Sequence, residues 1–530
     1  MKKMKFTLLG MMSLFSSITF SQYTFELVKD INPTGNSTSN GYTEYNGKLY
    51  FAAFDATNGY EPWVTDGTSA GTQLVKNINP TGNSYPGVFT EYNGKLYFQA
   101  DDGTNGVEIW VTDGTSAGTQ LVKNINPTGS SYPYKFTEYN GKLYFQATDG
   151  TNGYELWVTD GTTVGTQMLK NINPTGSSYP DVFTAFNGKL YFQATDGTNG
   201  YELWVTDGTT LGTQMLKDIN STGSSYPNGF TTYNGKLYFS TNDGTNGYEL
   251  WVTDGTTLGT QLVKDINTSG SSYPDYITAY NGKLYFQATD GTNGYELWVT
   301  DGTTLGTQML KDINSTGSSY PNGFTAYNGK LYFQANDGTN GDELWVTDGT
   351  TVGTQMLKNI KSTGNSNPGV FTEYNGKLYF VADEGTNGFE LWVTDGTSNG
   401  TNKIAPDISP NYDPLTNTYE LVAFNNALYF SANYTSSGEE LYKLTTPDFA
   451  SVDKHTLDAN FKVYPNPTNG ILTIDSENES QFAIFDIAGK KVKSFEINHG
   501  QNTVNLSELN AGIYFIQELT TGSQIKFIKK

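Results

Sequence analysis

The chain contains no cysteine, and all 31 of its basic residues are lysine. The first absence excludes disulfides, thiolate metal ligands, a cysteine nucleophile and a lipidated N-terminal cysteine. The second removes the forked guanidinium that grips phosphate and carboxylate bidentately. With a formal charge of −22, such a surface is a poor partner for nucleic acid. Only two histidines occur, His455 and His499, both towards the C-terminus. A histidine-dependent triad or metal centre upstream of them is therefore out of reach.

Long apolar runs are equally scarce. Lys2, Lys3 and Lys5 precede the apolar stretch Phe6 to Phe15, and small residues lead on to Ser21. This is the pattern of a cleavable secretory signal over residues 1–21, too short for a stable anchor. No later run is long enough to cross a bilayer, so no transmembrane span is expected in the mature chain.

What the chain does have is 14% aromatic residues and 59 glycines. Disordered chains lack aromatics, whereas short strands and tight turns use this mixture. All eight tryptophans, Trp63, Trp110, Trp157, Trp204, Trp251, Trp298, Trp345 and Trp392, recur at a strict spacing of 47 residues. A period of this length is the signature of a repeat architecture.

One unit reads as four strands. Phe136 to Tyr139 is closed by the hairpin turn Asn140-Gly141, and Lys142 to Ala147 ends at Asp149-Gly-Thr-Asn-Gly153. Tyr154 to Thr159 ends at Asp160-Gly161-Thr162, and Gln167 to Ile172 is the fourth run. Gaps of hairpin length predict an antiparallel meander. Both faces carry apolar side chains, so neighbouring units must cover them. Radial stacking of four-stranded sheets is a β-propeller.

The ends predict how the ring closes. Phe25 to Ile31 copies a fourth strand with nothing ahead of it, while Tyr419 to Thr445 supplies three strands and no fourth. Pairing the two completes a ninth blade and removes the exposed edges; eight blades or an open array are the alternatives. The fold class expected is all-β, a nine-bladed propeller followed by a small β-sandwich tail. The domains expected are a signal at 1–21, the propeller at 22–446, a linker at 447–459 and the tail at 460–530.

The run from Glu155 to Ile172, Glu-Leu-Trp-Val-Thr-Asp-Gly-Thr and onwards, resembles the ELWxxDGT repeat of bacterial surface and secreted proteins. The resemblance spans about residues 25 to 445 and implies a propeller-like secreted protein without an assigned activity. In the tail, Tyr464-Pro465-Asn466-Pro467, the turn at Gly489, Gly512, and the basic last strand with Lys526 and Lys529 resemble a type A C-terminal sorting domain. Such domains serve the type IX secretion system. The resemblance implies transport across the outer membrane of a Gram-negative cell, usually with removal of the tail, so the protein is expected at the cell surface or outside, and the secretion machinery is its first partner.

Near-identical units place the same groups around a ring, which leaves few ways to converge different groups on one point. No catalytic residues are assigned, and no cofactor or metal is expected. Asp102, Asp149, Asp196 and Asp290 recur in Asp-Gly-Thr-Asn-Gly turns, where aspartate serves the backbone. Calcium in those loops would have one carboxylate each to rely on.

A binding face is better supported. Loops from fourth to first strand share one face with loops from second to third. Tyr85, Tyr132, Tyr179, Tyr226, Tyr273 and Tyr320 would ring that face, interrupted at Thr38 and Asn367. The two residues after each Tyr-Pro vary most: Gly87-Val88, Tyr134-Lys135, Asp181-Val182, Asn228-Gly229, Asp275-Tyr276. Tyrosines beside amides and carboxylates suit glycans or peptides. The function expected is a secreted or surface binding and adhesion protein, not an enzyme. A polysaccharide hydrolase using acidic residues and a structural surface component are the alternatives.

Overall fold

The computed structural model describes residues 23–404, 414–415, 420–446, 461–476, 478–486, 491–510, 512–519 and 524–530. The expected signal at 1–21, the linker at 447–459 and Gly489 lie outside the described residues. The chain divides into two compact units, residues 1–446 and 447–530. Among the described residues no helix is long and apolar enough to cross a membrane.

The first unit is a β-propeller of nine four-stranded sheets among the described residues. The third blade is typical: Tyr134–Tyr139, Lys142–Thr148, Tyr154–Thr159 and Gln167–Lys170, each antiparallel to the next. Its first strand begins two residues earlier than the sequence pattern suggests, because a bulge between Tyr134 and Thr137 lets it bend. The fourth strand stops at Lys170, since Ile172 and Asn173 turn away to bond a buried carboxyl.

The cores lie between blades. Leu156, Val158 and Ile172 of the third blade pack against Leu190, Phe192 and Trp204 of the fourth. Fully burying residues of this size is worth about 1.5–3 kcal/mol each, so each blade is stabilised chiefly by its neighbour. Polar hooks repeat the same contact. The Tyr139 hydroxyl donates to the Gly188 carbonyl of the next blade at 2.6 Å. Lys264 Nζ lies 5.8 Å from the centre of the Trp298 ring and donates to the Thr307 carbonyl at 2.7 Å.

The ring closes through the ninth blade. Thr24–Lys29 runs antiparallel to Glu440–Thr445, pairing Phe25 with Leu444 and Leu27 with Tyr442. Phe424, Tyr429 and Leu441 of that blade share one core with Leu49, Phe51 and Trp63 of the first. Among the described residues, every sheet of the ring shares a buried core with the sheet on each side.

The second unit is a pair of sheets. Phe461–Tyr464, Ile471–Ser476 and Gly500–Asn505 form one; Lys491–Ile497, Ser480–Asp486, Gly512–Glu518 and Gln524–Lys529 form the other. Leu472, Ile474, Phe482, Ile484, Ile516 and Phe527 fill the space between them.

Candidate binding face

The loop that links one blade to the next is built on a buried glutamate. Glu155, on the third strand, has no exposed surface. Its Oε2 accepts the Ile172 N–H at 2.6 Å and the Ser178 hydroxyl at 2.8 Å. Its Oε1 accepts the N–H groups of Asn173 at 3.3 Å and Ser178 at 3.1 Å. Burial pushes this carboxyl up to about 7, against the hydrogen bonds that pull it down. Glu202, Glu249, Glu296 and Glu440 stand at about 7 for the same reason. The sequence reading did not single out these glutamates. Their signal in the sequence is the glutamate that recurs two residues before each tryptophan, and before Tyr442 in the ninth blade.

Held this way, the loop presents its tyrosine in a rare conformation. The Ser178 and Tyr179 N–H groups both donate to the Tyr154 carbonyl, and Ser178 returns its own carbonyl to Thr195. The chain must turn sharply between these bonds. Tyr85, Tyr132, Tyr179, Tyr226, Tyr273 and Tyr320 all adopt the left-handed region, with φ between 44° and 49°. That region is uncommon for a bulky residue, and strain of this kind gathers at functional sites. The six side chains are 44% to 61% exposed. Thr38 and Asn367 hold the same backbone position without an aromatic ring.

The structure adds a second set of tyrosines to the expected ring. Tyr179 stacks on Tyr154 at 5.4 Å, Tyr226 on Tyr201 at 5.1 Å, Tyr273 on Tyr248 at 5.3 Å and Tyr320 on Tyr295 at 5.3 Å. Tyr273 and Tyr295 bridge two pairs at 6.5 Å. Burial raises the pKa of Tyr154, Tyr201, Tyr248 and Tyr295, and each also feels the loop tyrosines on both sides. Rings from loops and third strands therefore alternate in one arc from Tyr132 to Tyr320. Val107 and Asp342 end it by replacing the strand tyrosine. Tyr85, beyond Val107, meets Tyr60 in a tilted pair at 5.8 Å.

Beside the arc lies a cavity of about 550 Å³, bounded by tyrosines and by Asn228, Asp275, Gln193, Ser240 and Gln287. Asn228 and Asp275 open the first strands and pair with Ser240 and Gln287 of the second. The variable residue after each of them is the bulge, also left-handed: Val182 at 52°, Tyr276 at 54°, with Gly229 and Gly323 where no side chain is needed. These bulges line a further space of about 570 Å³ along the inner strands of blades four to eight.

The aspartates of the Asp-Gly-Thr-Asn-Gly turns serve their own loops. Asp149 accepts the N–H groups of Thr151 and Asn152 and the Asn152 side-chain amide. Among the described residues no group of three or more acidic, histidine or cysteine side chains could hold a metal ion. At the other end of the strands, Val164, Leu211, Leu258, Leu305 and Val352 stand 89% to 94% exposed at turn tips.

In the tail, Asn466 ties its proline-flanked loop to the last strand. Its side-chain amide donates to the Lys526 carbonyl at 3.0 Å, and its Oδ1 accepts the Ile528 N–H at 2.9 Å. Gly512 lies opposite Lys529, while Tyr464 and Lys526 remain exposed. Residues 462–530 are a secretion system C-terminal sorting domain. The chain is accordingly a secreted or cell-surface protein. No curated protein matches its sequence.

Several solved structures resemble the fold. PorZ, described as an essential surface component of the type-IX secretion system of Porphyromonas gingivalis, is 15% identical with a TM-score of 0.35, covering 93% of this chain and 75% of that one. The β-propeller domain of the trilobed protease from Pyrococcus furiosus is 11% identical with a TM-score of 0.33, covering 70% and 99%. A puromycin hydrolase is 10% identical with a TM-score of 0.38, covering 78% of this chain; the chain spans 61% of that enzyme's length.

Proposed function

We propose that this is a non-catalytic binding protein of the cell exterior that holds an extended glycan against the tyrosine arc. The sorting tail, by its likeness to the type A class, delivers it through a type IX secretion route and engages that machinery as its first partner. The observation that carries the binding role is the series of loop and strand tyrosines, stacked as Tyr154–Tyr179 and Tyr201–Tyr226 and continuous from Tyr248 through Tyr273 and Tyr295 to Tyr320, bordered by amide and hydroxyl groups. Stacking on aromatic faces with polar groups alongside suits sugar rings, and repetition lets weak contacts add along one polymer.

Hydrolysis of glycosides needs a carboxylic acid with a raised pKa that reaches the substrate. The carboxyls that burial raises are the third-strand glutamates, which are spent on backbone N–H groups inside the blades. This favours the binding reading over the hydrolytic one. Affinity electrophoresis of the full chain through gels containing soluble polysaccharides tests it. Retardation by at least one polysaccharide is expected for the wild type and should be lost in Tyr179→Ala/Tyr226→Ala. Equal retardation of the two proteins removes this face as the site.

A further inference from the structure

The polar groups of the cavity beside the arc are not equivalent around the ring, and the difference points to a charge on the ligand. Gly87, Tyr134, Asp181, Asn228, Asp275, Asn322 and Gly369 occupy the same position at the start of successive first strands. Two of them are carboxylates. Asp181 is neutralised by Lys135, whose Nζ stands 3.5 Å from its Oδ1. Asp275 makes no such pair among the described residues; its Oδ1 accepts only the neighbouring N–H of Tyr276 at 2.8 Å. It is exposed, and it opens onto the cavity that Tyr226, Tyr248, Tyr273, Tyr295 and Tyr320 border. No lysine lines that cavity.

We infer that this cavity is a subsite for an ammonium group, and that the glycan held by the arc is one bearing free amines, a polymer of amino sugars. The inference rests on the reading of the arc as a glycan-binding face and names the class of glycan. The physical grounds are two. Tyrosine faces attract a cation through the ring quadrupole, and several such rings converge here. A lone carboxylate beside them supplies a charge-assisted hydrogen bond to an N⁺–H donor. An anionic polysaccharide would meet Asp275, the acidic surface and no guanidinium, so it is disfavoured. A lysine-rich peptide offers the same ammonium chemistry, but its flexible side chains do not present flat rings at regular intervals, as the run Tyr248, Tyr273, Tyr295, Tyr320 requires.

The test is titration calorimetry of the full chain at pH 5.5 and low salt with a β-1,4-linked glucosamine tetramer, its N-acetylated counterpart and tetralysine. The glucosamine tetramer should bind about tenfold more tightly than the neutral one. Asp275→Asn should lower the glucosamine tetramer's affinity severalfold and so shrink that preference, the tyrosine faces keeping the remainder; an unchanged preference in this variant overturns the subsite. An equal or reversed preference in the wild type, or tetralysine binding as tightly as the glucosamine tetramer, overturns the ammonium subsite while the glycan face stands. If neither tetramer binds, or if Tyr248→Ala/Tyr295→Ala binds both as the wild type does, the face itself is refuted and the inference with it. Matching circular dichroism and melting curves establish that the variants are folded.

Discussion

The Glu155 carboxyl and Ser178 meet twice, through the serine hydroxyl at 2.8 Å and its backbone N–H at 3.1 Å. Since Ser178 precedes Tyr179, a buried acid on the third strand sets the pose of an exposed ring on the face. Removing the carboxyl in Glu155→Ala orphans the buried N–H groups of Ile172 and Asn173 and leaves Ser178 only the Tyr154 carbonyl as acceptor. Each such group costs about 1–3 kcal/mol when left unmet. The variant should unfold earlier in urea, by about 3 kcal/mol, with hydrogen exchange accelerated first in residues 172–180. Glu155→Gln, which keeps one acceptor oxygen, should lose less than half as much.

The same glutamates make stability depend on pH in an unusual direction. Burial lifts Glu155, Glu202, Glu249, Glu296 and Glu440 from an ordinary 4.5 to about 7 in the folded chain. Folding therefore favours their protonated form. Their contribution is complete below pH 4.5 and disappears as pH rises through about 7. Turn aspartates such as Asp160 act oppositely. The Thr162 hydroxyl and N–H hold Asp160 below its usual value, so its contribution is lost as pH falls below about 4. Thermal melts between pH 3 and 9 should give the highest midpoint near pH 5 and a decline to pH 8. Glu155→Gln/Glu249→Gln should flatten that decline; a midpoint that climbs from pH 5 to pH 8 contradicts the assignment.

The period, the four strands and the sealing of the ring by Phe25 to Ile31 are all legible in the sequence, because each depends on local turns and alternating apolar residues. Lys142 to Ala147 could be placed within one residue on that basis. The glutamate of Glu-Leu-Trp could not be seen as buried, since an acid on a strand of an acidic chain reads as solvent-facing. It is covered only because the loop from the fourth strand folds back over the sheet end. Nor does a tyrosine announce a positive φ as glycine would; Asn367, taking the same place as Tyr179, is the one hint. The strand tyrosines at 154, 201, 248 and 295 were visible in the repeat, but their pairing with loop tyrosines depends on how neighbouring blades meet.

The tryptophans should report the cores between blades. All eight indoles are 5% to 6% exposed, and most lie beneath a lysine of the preceding blade. Fluorescence should be blue-shifted and resist iodide quenching until the ring unfolds. Trp298→Ala should cost about 3–5 kcal/mol as a large cavity opens. Lys264→Met, which loses a cation over the ring and one hydrogen bond, should cost about 1 kcal/mol.

The turn-tip aliphatics give the contrasting case. Leu211, Leu258 and Leu305 are 93% to 94% exposed, so little transfer energy is stored in them. Leu211→Thr/Leu258→Thr/Leu305→Thr should change the unfolding free energy measured in urea by less than about 0.5 kcal/mol per substitution. A larger loss would mean that these side chains are covered in solution.

Closure of the ring depends on the leading strand. Val28 and Ile31 are almost fully buried at the seam, and the Ile31 N–H is one of the donors that hold Glu440. A chain truncated to begin at Asn32 loses that donor, exposes Leu441 and Leu444, and leaves the Glu440–Thr445 strand with an open edge. Exposed apolar edges recruit other chains. The truncated protein should aggregate on concentration, and its thermal midpoint should fall. A peptide of residues 23–31 added in excess should restore both, by supplying the missing strand in trans. A truncated chain that stays monomeric with an unchanged melt would show that the leading strand does not close the ring.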